Sequence, residues 1–218
     1  MSEFFEYVKK NKLVAILRNV PQEDIVQVAD AVVRKGGIRL LEITFNQNRE
    51  DAVEETTACI RKVKEYVMGD AMVGAGTVLT LEQLEAAYGA GAEFILSPNT
   101  DTAIIRRTKE LGLGSVPGAM TPSEIVEAYQ AGADIVKLFP AGDLSESYIR
   151  SVLAPVNHVP LMGVGGVNED NIRRLEALGM MSFGLGSNIV DKTCVREKNW
   201  EEIGRRARNF RKLLGQEG

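Results

Sequence analysis

Eight short apolar runs, many of them β-branched, recur along this chain. The gaps between them hold segments whose apolar residues repeat about every 3.6 positions, the period of a helix with one buried face. The runs are Leu13–Leu17, Ile38–Thr44, Met72–Gly76, Glu93–Ser97, Gly114–Pro117, Asp134–Phe139, Pro160–Val164 and Ser182–Leu185. Strands that alternate with helices pair in parallel, and eight such units close most naturally into a (β/α)8 TIM barrel. The α/β alternative, an open doubly wound sheet, lacks its G-x-G-x-x-G turn after the first run. An extra N-terminal helix, about residues 3–10, and a last one, about residues 200–214, flank the barrel units.

Punctuation between the runs supports this division. Ile25, Val28, Ala29 and Val32 share a helical face behind Pro21. Thr80 with Gln83, and Thr121 with Glu124 behind Pro122, read as capping boxes, and Asn168 as an N-cap. Gly36, Gly89, Gly112, Gly132 and Gly179 are placed to end helices in the left-handed conformation. The string YGAGAEFI at 88–95 returns as YQAGADIV at 129–136, the same helix-to-strand turn in two units. No linker or composition break divides the 218 residues, so one barrel domain over 1–218 is expected.

Composition narrows the function. A net charge of −4 with dispersed basic residues argues against a nucleic-acid surface. The basic stretch from Arg205 to Lys212 reads as a solvated helix face with acidic neighbours. No run has the length of a signal peptide core or a membrane span, and two cysteines make no disulfide framework, so a cytoplasmic protein is the default expectation. One histidine in the chain leaves little for a His-rich metal site or a His-dependent nucleophile. No metal is expected.

Against that background two charges stand out. Parallel strands covered on both faces should be continuously apolar, yet Lys137 interrupts Ile135–Phe139 and Glu42 interrupts Leu40–Thr44. Both fall in the C-terminal half of their strand, the end where barrel enzymes keep their chemistry. A buried ion pair seldom adds stability. A buried lysine, by contrast, loses its proton more easily and becomes a nucleophile towards ketones, and a nearby carboxylate can move protons. Charges at the run starts, Arg39, Glu93 and Asp134, belong to the opposite, water-facing end.

Two glycine loops follow the seventh and eighth runs: Gly163-Val164-Gly165-Gly166-Val167-Asn168 and Gly184-Leu185-Gly186-Ser187-Asn188. Barrels commonly hold phosphate there. Neither loop contains a basic residue, so backbone amides and the Ser187 hydroxyl are expected to bind it. Gly74-Ala75-Gly76-Thr77 after the third run, and Arg18 after the first, are candidates for a carboxylate.

Together, Val14-Ala15-Ile16-Leu17-Arg18, Leu41-Glu42-Ile43-Thr44, Gly74–Val78, Ser97-Pro98, Val116-Pro117-Gly118, Lys137-Leu138-Phe139-Pro140 and the glycine loops resemble the KDPG/KHG aldolase family, in the same order over essentially the whole chain. The resemblance implies a lyase on a (β/α)8 barrel, a homotrimer, with no cofactor beyond a covalent Schiff base on lysine. It implies Lys137 as the Schiff-base residue and Glu42 as general acid/base. Thr77 and Arg18 would hold the substrate carboxylate, Phe139 and Pro98 would line the pyruvyl pocket, and Gly165, Gly166, Gly186 and Ser187 would hold phosphate. The implied substrates are phosphorylated 2-keto-3-deoxy sugar acids, cleaved to pyruvate and glyceraldehyde 3-phosphate, with 4-hydroxy-2-oxoglutarate, cleaved to pyruvate and glyoxylate, as a further one. Gluconate-type members carry an arginine where this chain has Asn46 and a threonine where it has Val164; both states are more similar to members acting on the galactonate epimer. Two other readings of the same residues are an isomerase or synthase using Glu42 as base, and a non-catalytic sugar-phosphate sensor.

Overall fold

A computed structural model describes residues 2–216. Its parallel strands are β1 Leu13–Leu17, β2 Leu40–Thr44, β3 Met72–Gly76, β4 Phe94–Leu96, β5 Gly114–Val116, β6 Gly118–Ala119, β7 Val136–Leu138, β8 Leu161–Val164 and β9 Ser182–Leu185. They lie side by side in the order β5-β4-β3-β2-β1-β9-β8-β7-β6. The two ends of that order, β5 and β6, are separated in the chain by Pro117 alone. Pro117, where the fifth expected run ends, has no N–H for a ladder; Gly114–Val116 before it pair with β4, and Gly118–Ala119, beyond the run, pair with β7. The Lys137 N–H still reaches the Pro117 carbonyl at 2.8 Å. The ring of eight βα units therefore closes through a broken fifth strand.

The helices are α1 Glu3–Asn11, α2 Ile25–Asp30 (prolonged by a π turn over Ala31–Lys35), α3 Ala52–Val67, α4 Leu81–Gly89, α5 Thr102–Glu110, α6 Pro122–Gln130, α7 Glu146–Leu153, α8 Ile172–Ala177, α9 Lys192–Arg196 and α10 Trp200–Leu213. Among the described residues none is long and apolar enough to cross a membrane. The Thr121–Glu124 capping box forms in full. Thr80 caps α4, but Gln83 sends its carbonyl oxygen to the Leu79 N–H instead of back to Thr80. Asn168 serves the turn ahead of α8, accepting from Asp170 and Asn171, and the helix itself starts at Ile172.

Left-handed glycines end the helices at Gly112, Gly132 and Gly179 as expected, but Gly36 stays right-handed and Gly89 remains in α4. The positive φ falls instead on Gly37 and Gly91. At Gly91 this is where the chain must reverse for the Ala92 N–H to reach the Ala87 carbonyl at 3.0 Å. Gly132 does the same for Ala133 and Ala128 at 3.1 Å. The sequence echo is thus one repeated device, and it extends to charge. Glu93 accepts the Val73 N–H and pairs with Lys64, while Asp134 accepts the Ser115 N–H and pairs with Lys109.

Side chains alternate along each strand. Leu41, Ile43, Val136 and Leu138 face the helices, and Val14, Ile16, Leu40, Phe94, Ile135, Met162 and Val164 fill the barrel. Helix α1 closes the bottom with Phe4, Phe5 and Val8, the Phe4 ring stacking on Phe94 with centroids 5.3 Å apart. Each such side chain stabilises the plug by about 1.5–3 kcal/mol on burial. On α10, Arg205 and Arg206 both bond Glu202, so the basic stretch is a surface laced to its own acids.

Candidate active site

Because Leu40 and Ile135 point inward, the strand period carries Glu42 and Lys137 inward as well. Both are buried, at 1% and 5% exposure. Burial pushes the Glu42 carboxyl up from its ordinary value, against the opposing pull of Lys137 and Arg18. Burial pulls the Lys137 ammonium down; Glu42 works against that and Arg18 adds to it. Among the described residues the Glu42 Oε2 has no hydrogen-bond partner. Its carboxyl lies directly over Gly76, where a Cβ would come within 1.7 Å of Oε1, so β3 must carry glycine at that point. The chemistry this pairing permits is that of an amine inclined to be neutral beside a carboxyl inclined to hold a proton.

Near Lys137 the structure places two of the expected residues, Phe139 and Pro98. The Phe139 ring centroid lies 4.9 Å from Lys137 Nζ. Gly118 is the register partner of Lys137, and the Pro98 carbonyl packs against it. Thr77, the first residue after β3, has φ 57, a region that β-branched residues rarely enter.

Beside Phe139 a pocket of about 250 Å³ brings together Ile16, Arg18, Val164, Gly165, Gly166, Gly186 and Ser187. Gly165 and Gly166 have φ 80 and 67, which L side chains resist. Their carbonyls are taken up behind the loop, by the Gly142 N–H at 2.8 Å and the Asn171 amide at 2.8 Å. Among the described residues no acceptor takes the N–H groups of Gly166, Gly186 or Ser187. Such a cradle suits an anion.

Two placements depart from the sequence reading. Lys192, the first residue of α9, lines this pocket together with Arg18. A cationic pair therefore stands where backbone amides and a hydroxyl were expected to act alone. Asn46 is not brought to Val164. It donates to Asn19 at 3.1 Å and lines a separate cleft between α2 and α3, with Arg49 and Glu55. Arg49 is itself held by Asp51 and Glu55.

Residues 5–206 match the family profile described as KDPG and KHG aldolase. The 2-dehydro-3-deoxy-phosphogluconate aldolase of Haemophilus influenzae is 31% identical over 207 residues, 94% of this chain and 94% of its own length. The 2-dehydro-3-deoxy-6-phosphogalactonate aldolase of Escherichia coli is 32% identical over 186 residues, 84% of this chain and 87% of its own. A solved structure described as native KDPGal superposes with a TM-score of 0.83 at 29% identity, covering 94% of each chain. The KDPG aldolase of Legionella pneumophila, with pyruvate captured as a covalent carbinolamine, superposes at 0.81 and 22% identity over 95% of this chain and 97% of that one, a likeness of fold.

Proposed function

This chain belongs to the KDPG and KHG aldolase family and is therefore a lyase; from that premise we propose that it acts through a Schiff base on Lys137. The substrate is a 2-keto-3-deoxy-6-phospho sugar acid, the gluconate or the galactonate epimer, since relatives of both kinds are comparably similar. The observation that carries the reading is that the Lys137 amine and the Glu42 carboxyl, whose Oε2 has no partner among the described residues, are both buried inside the barrel and feel each other's charge.

The neutral Lys137 amine attacks the C2 ketone, and the carbinolamine hydroxyl, protonated by Glu42 or by water, leaves as water to give an iminium. Glu42, directly or through one water, takes the C4 hydroxyl proton. The C3–C4 bond breaks, its electrons pass into the iminium to make an enamine, and glyceraldehyde 3-phosphate leaves. Glu42 returns the proton to C3, and water hydrolyses the new iminium to pyruvate and the free amine, releasing the proton taken up when the first iminium formed. The glycine loops, Ser187 and Lys192 hold the phosphate, and Arg18, which the resemblance gave to the carboxylate, lines that same pocket and joins them. Thr77 holds the carboxylate, and Phe139 and Pro98 line the pyruvyl pocket. 4-Hydroxy-2-oxoglutarate follows the same course to glyoxylate without using the phosphate site.

Incubation with pyruvate and borohydride, followed by peptide mapping, is expected to modify Lys137, and EDTA to leave turnover intact. A label on another lysine, or none, overturns the mechanism. An isomerase or a sensor gains no covalent mass.

A further inference from the structure

The turn that carries Thr77 is tied into a ring by two glutamines. The Leu79 N–H donates to Gln83 Oε1 at 2.8 Å, Gln83 Nε2 donates to Gln47 Oε1 at 2.9 Å, and Gln47 Nε2 donates to the Thr77 carbonyl at 2.8 Å. The amide orientations are not free choices. Leu79 offers only a donor and Thr77 only an acceptor, so the two ends dictate which way each amide faces and the middle bond agrees. Capping α4 would need nothing from Gln83 beyond its oxygen; the bond from its nitrogen serves another purpose. Gln83 is buried at 7% exposure, whereas Gln47 is exposed and, among the described residues, its side chain is held by these bonds alone.

The ring closes on the one residue of the β3–α4 turn with a positive φ. Backbone in that region persists only where its surroundings over-determine it. We propose that Gln47 and Gln83 are positioning residues, fixing Thr77 so that its hydroxyl and backbone meet the carboxylate of the pyruvyl end. They set affinity for a 2-keto acid and leave the phosphate end and proton transfer untouched. This rests on the reading that Thr77 binds that carboxylate.

The test measures the pyruvate concentration giving half-maximal borohydride trapping, beside the KM for glyceraldehyde 3-phosphate and kcat in the synthetic direction. Gln83→Glu keeps the shape and the acceptor for Leu79 but has no donor, so Gln47 must turn its oxygen towards the Thr77 carbonyl. Gln47→Leu cuts the ring from its exposed end without adding charge. Both are expected to raise the half-saturating pyruvate by about 3- to 10-fold, the loss of one neutral hydrogen bond. The aldehyde KM and kcat should stay within about twofold. Unmoved pyruvate values beside normal wild-type trapping, or an equal loss in all three quantities, overturn the proposal alone. A Thr77→Val variant with unchanged pyruvate affinity, or a wild type that traps nothing, overturns the reading beneath it.

Discussion

At the N-terminal end of the strands, Asp134 receives the Ser115 N–H, the Ser2 hydroxyl and the Lys109 ammonium at 2.8, 2.6 and 2.6 Å; inside the barrel towards the other end, Glu42 keeps one oxygen with no partner among the described residues. Both carboxyls are well removed from water, at 8% side-chain exposure and 1% residue exposure respectively. A buried polar group left unpaired costs about 1–3 kcal/mol, more when charged. The bottom of the barrel uses its carboxylate to tie α1, β5 and α5 together. Among the described residues Glu42 Oε2 ties no other element, and the proposed mechanism leaves its unmet hydrogen-bonding capacity to the substrate. On the proposed mechanism, the difference between the ends is that between a group that holds the fold and a group the fold holds for chemistry.

The sharpest way to break this contrast is Glu42→Gln. The iminium can still form, so pyruvate trapping should persist while kcat falls by about 10²–10⁴-fold, the contribution of a general acid–base group. A near-normal kcat removes Glu42 from the mechanism. The same variant tests the energetic half of the comparison. Burial raises the Glu42 carboxyl, so between its ordinary and its folded pKa the folded protein holds a proton that the unfolded chain has lost. Stability therefore falls as pH rises through that window. Glu42→Gln should match the wild-type Tm at pH 4 and exceed it at pH 8. A variant less stable at pH 8 would mean that Glu42 holds the barrel together as Asp134 does.

Asp134→Ala should do the opposite. Losing three bonds to a largely buried carboxylate is expected to cost about 3 kcal/mol, lowering Tm by roughly 6–12 °C. At temperatures well below that Tm, kcat should be unchanged. A loss of turnover in step with stability would mean that the two ends are coupled rather than divided.

How much of this contrast was legible in the sequence differs by residue. Lys137 and Glu42 stood out because a parallel strand has no ordinary use for a charge, and the glycine loops because two of them followed consecutive strands. The echo at 88–95 and 129–136 was visible as a repeat, but its work, a carboxylate capping the neighbouring strand, exists only once that strand is alongside. Lys192 was hidden, since an exposed lysine at a helix start looks like any other until β9 and α9 turn it over the pocket. The Gln47–Gln83–Thr77 ring joins residues 30 and 36 positions apart, beyond the reach of local patterns. The fifth run ends at Pro117 in the sequence, and nothing local marks Gly118 and Ala119 as a further short strand, because their partner β7 comes alongside only in the closed barrel.

Lys192 extends the comparison to the mouth of the barrel, where charge is exposed and effects should be smaller. Lys192→Met removes one cation from the phosphate pocket, and kcat/KM for phosphorylated substrate should fall by about 10-fold, the low end for a bond to a charged group. Unphosphorylated 4-hydroxy-2-oxoglutarate should barely respond. Equal losses on the two substrates would place the phosphate elsewhere.

The smallest expected effect concerns a methyl group. Val164 is buried at 4% exposure in the wall of the pocket formed by the glycine loops, with its methyls against Gly184. A substrate hydroxyl aimed at it is desolvated and finds no partner, at a cost on the order of 1–3 kcal/mol. Val164→Thr exchanges one methyl for a hydroxyl of similar size and should favour the epimer whose C4 hydroxyl points towards it. The wild type should accept the galactonate epimer at least as well as the gluconate epimer, and the variant should move that ratio about 10-fold towards gluconate, because one hydroxyl is all that changes in the pocket. Paired kcat/KM measurements on the two epimers decide it. A wild type with strong gluconate preference, unmoved by the substitution, would show that this wall does not read C4. Asn46, turned towards Asn19 across a different cleft, would then have to read it from a position that the substrate reaches only if that loop rearranges.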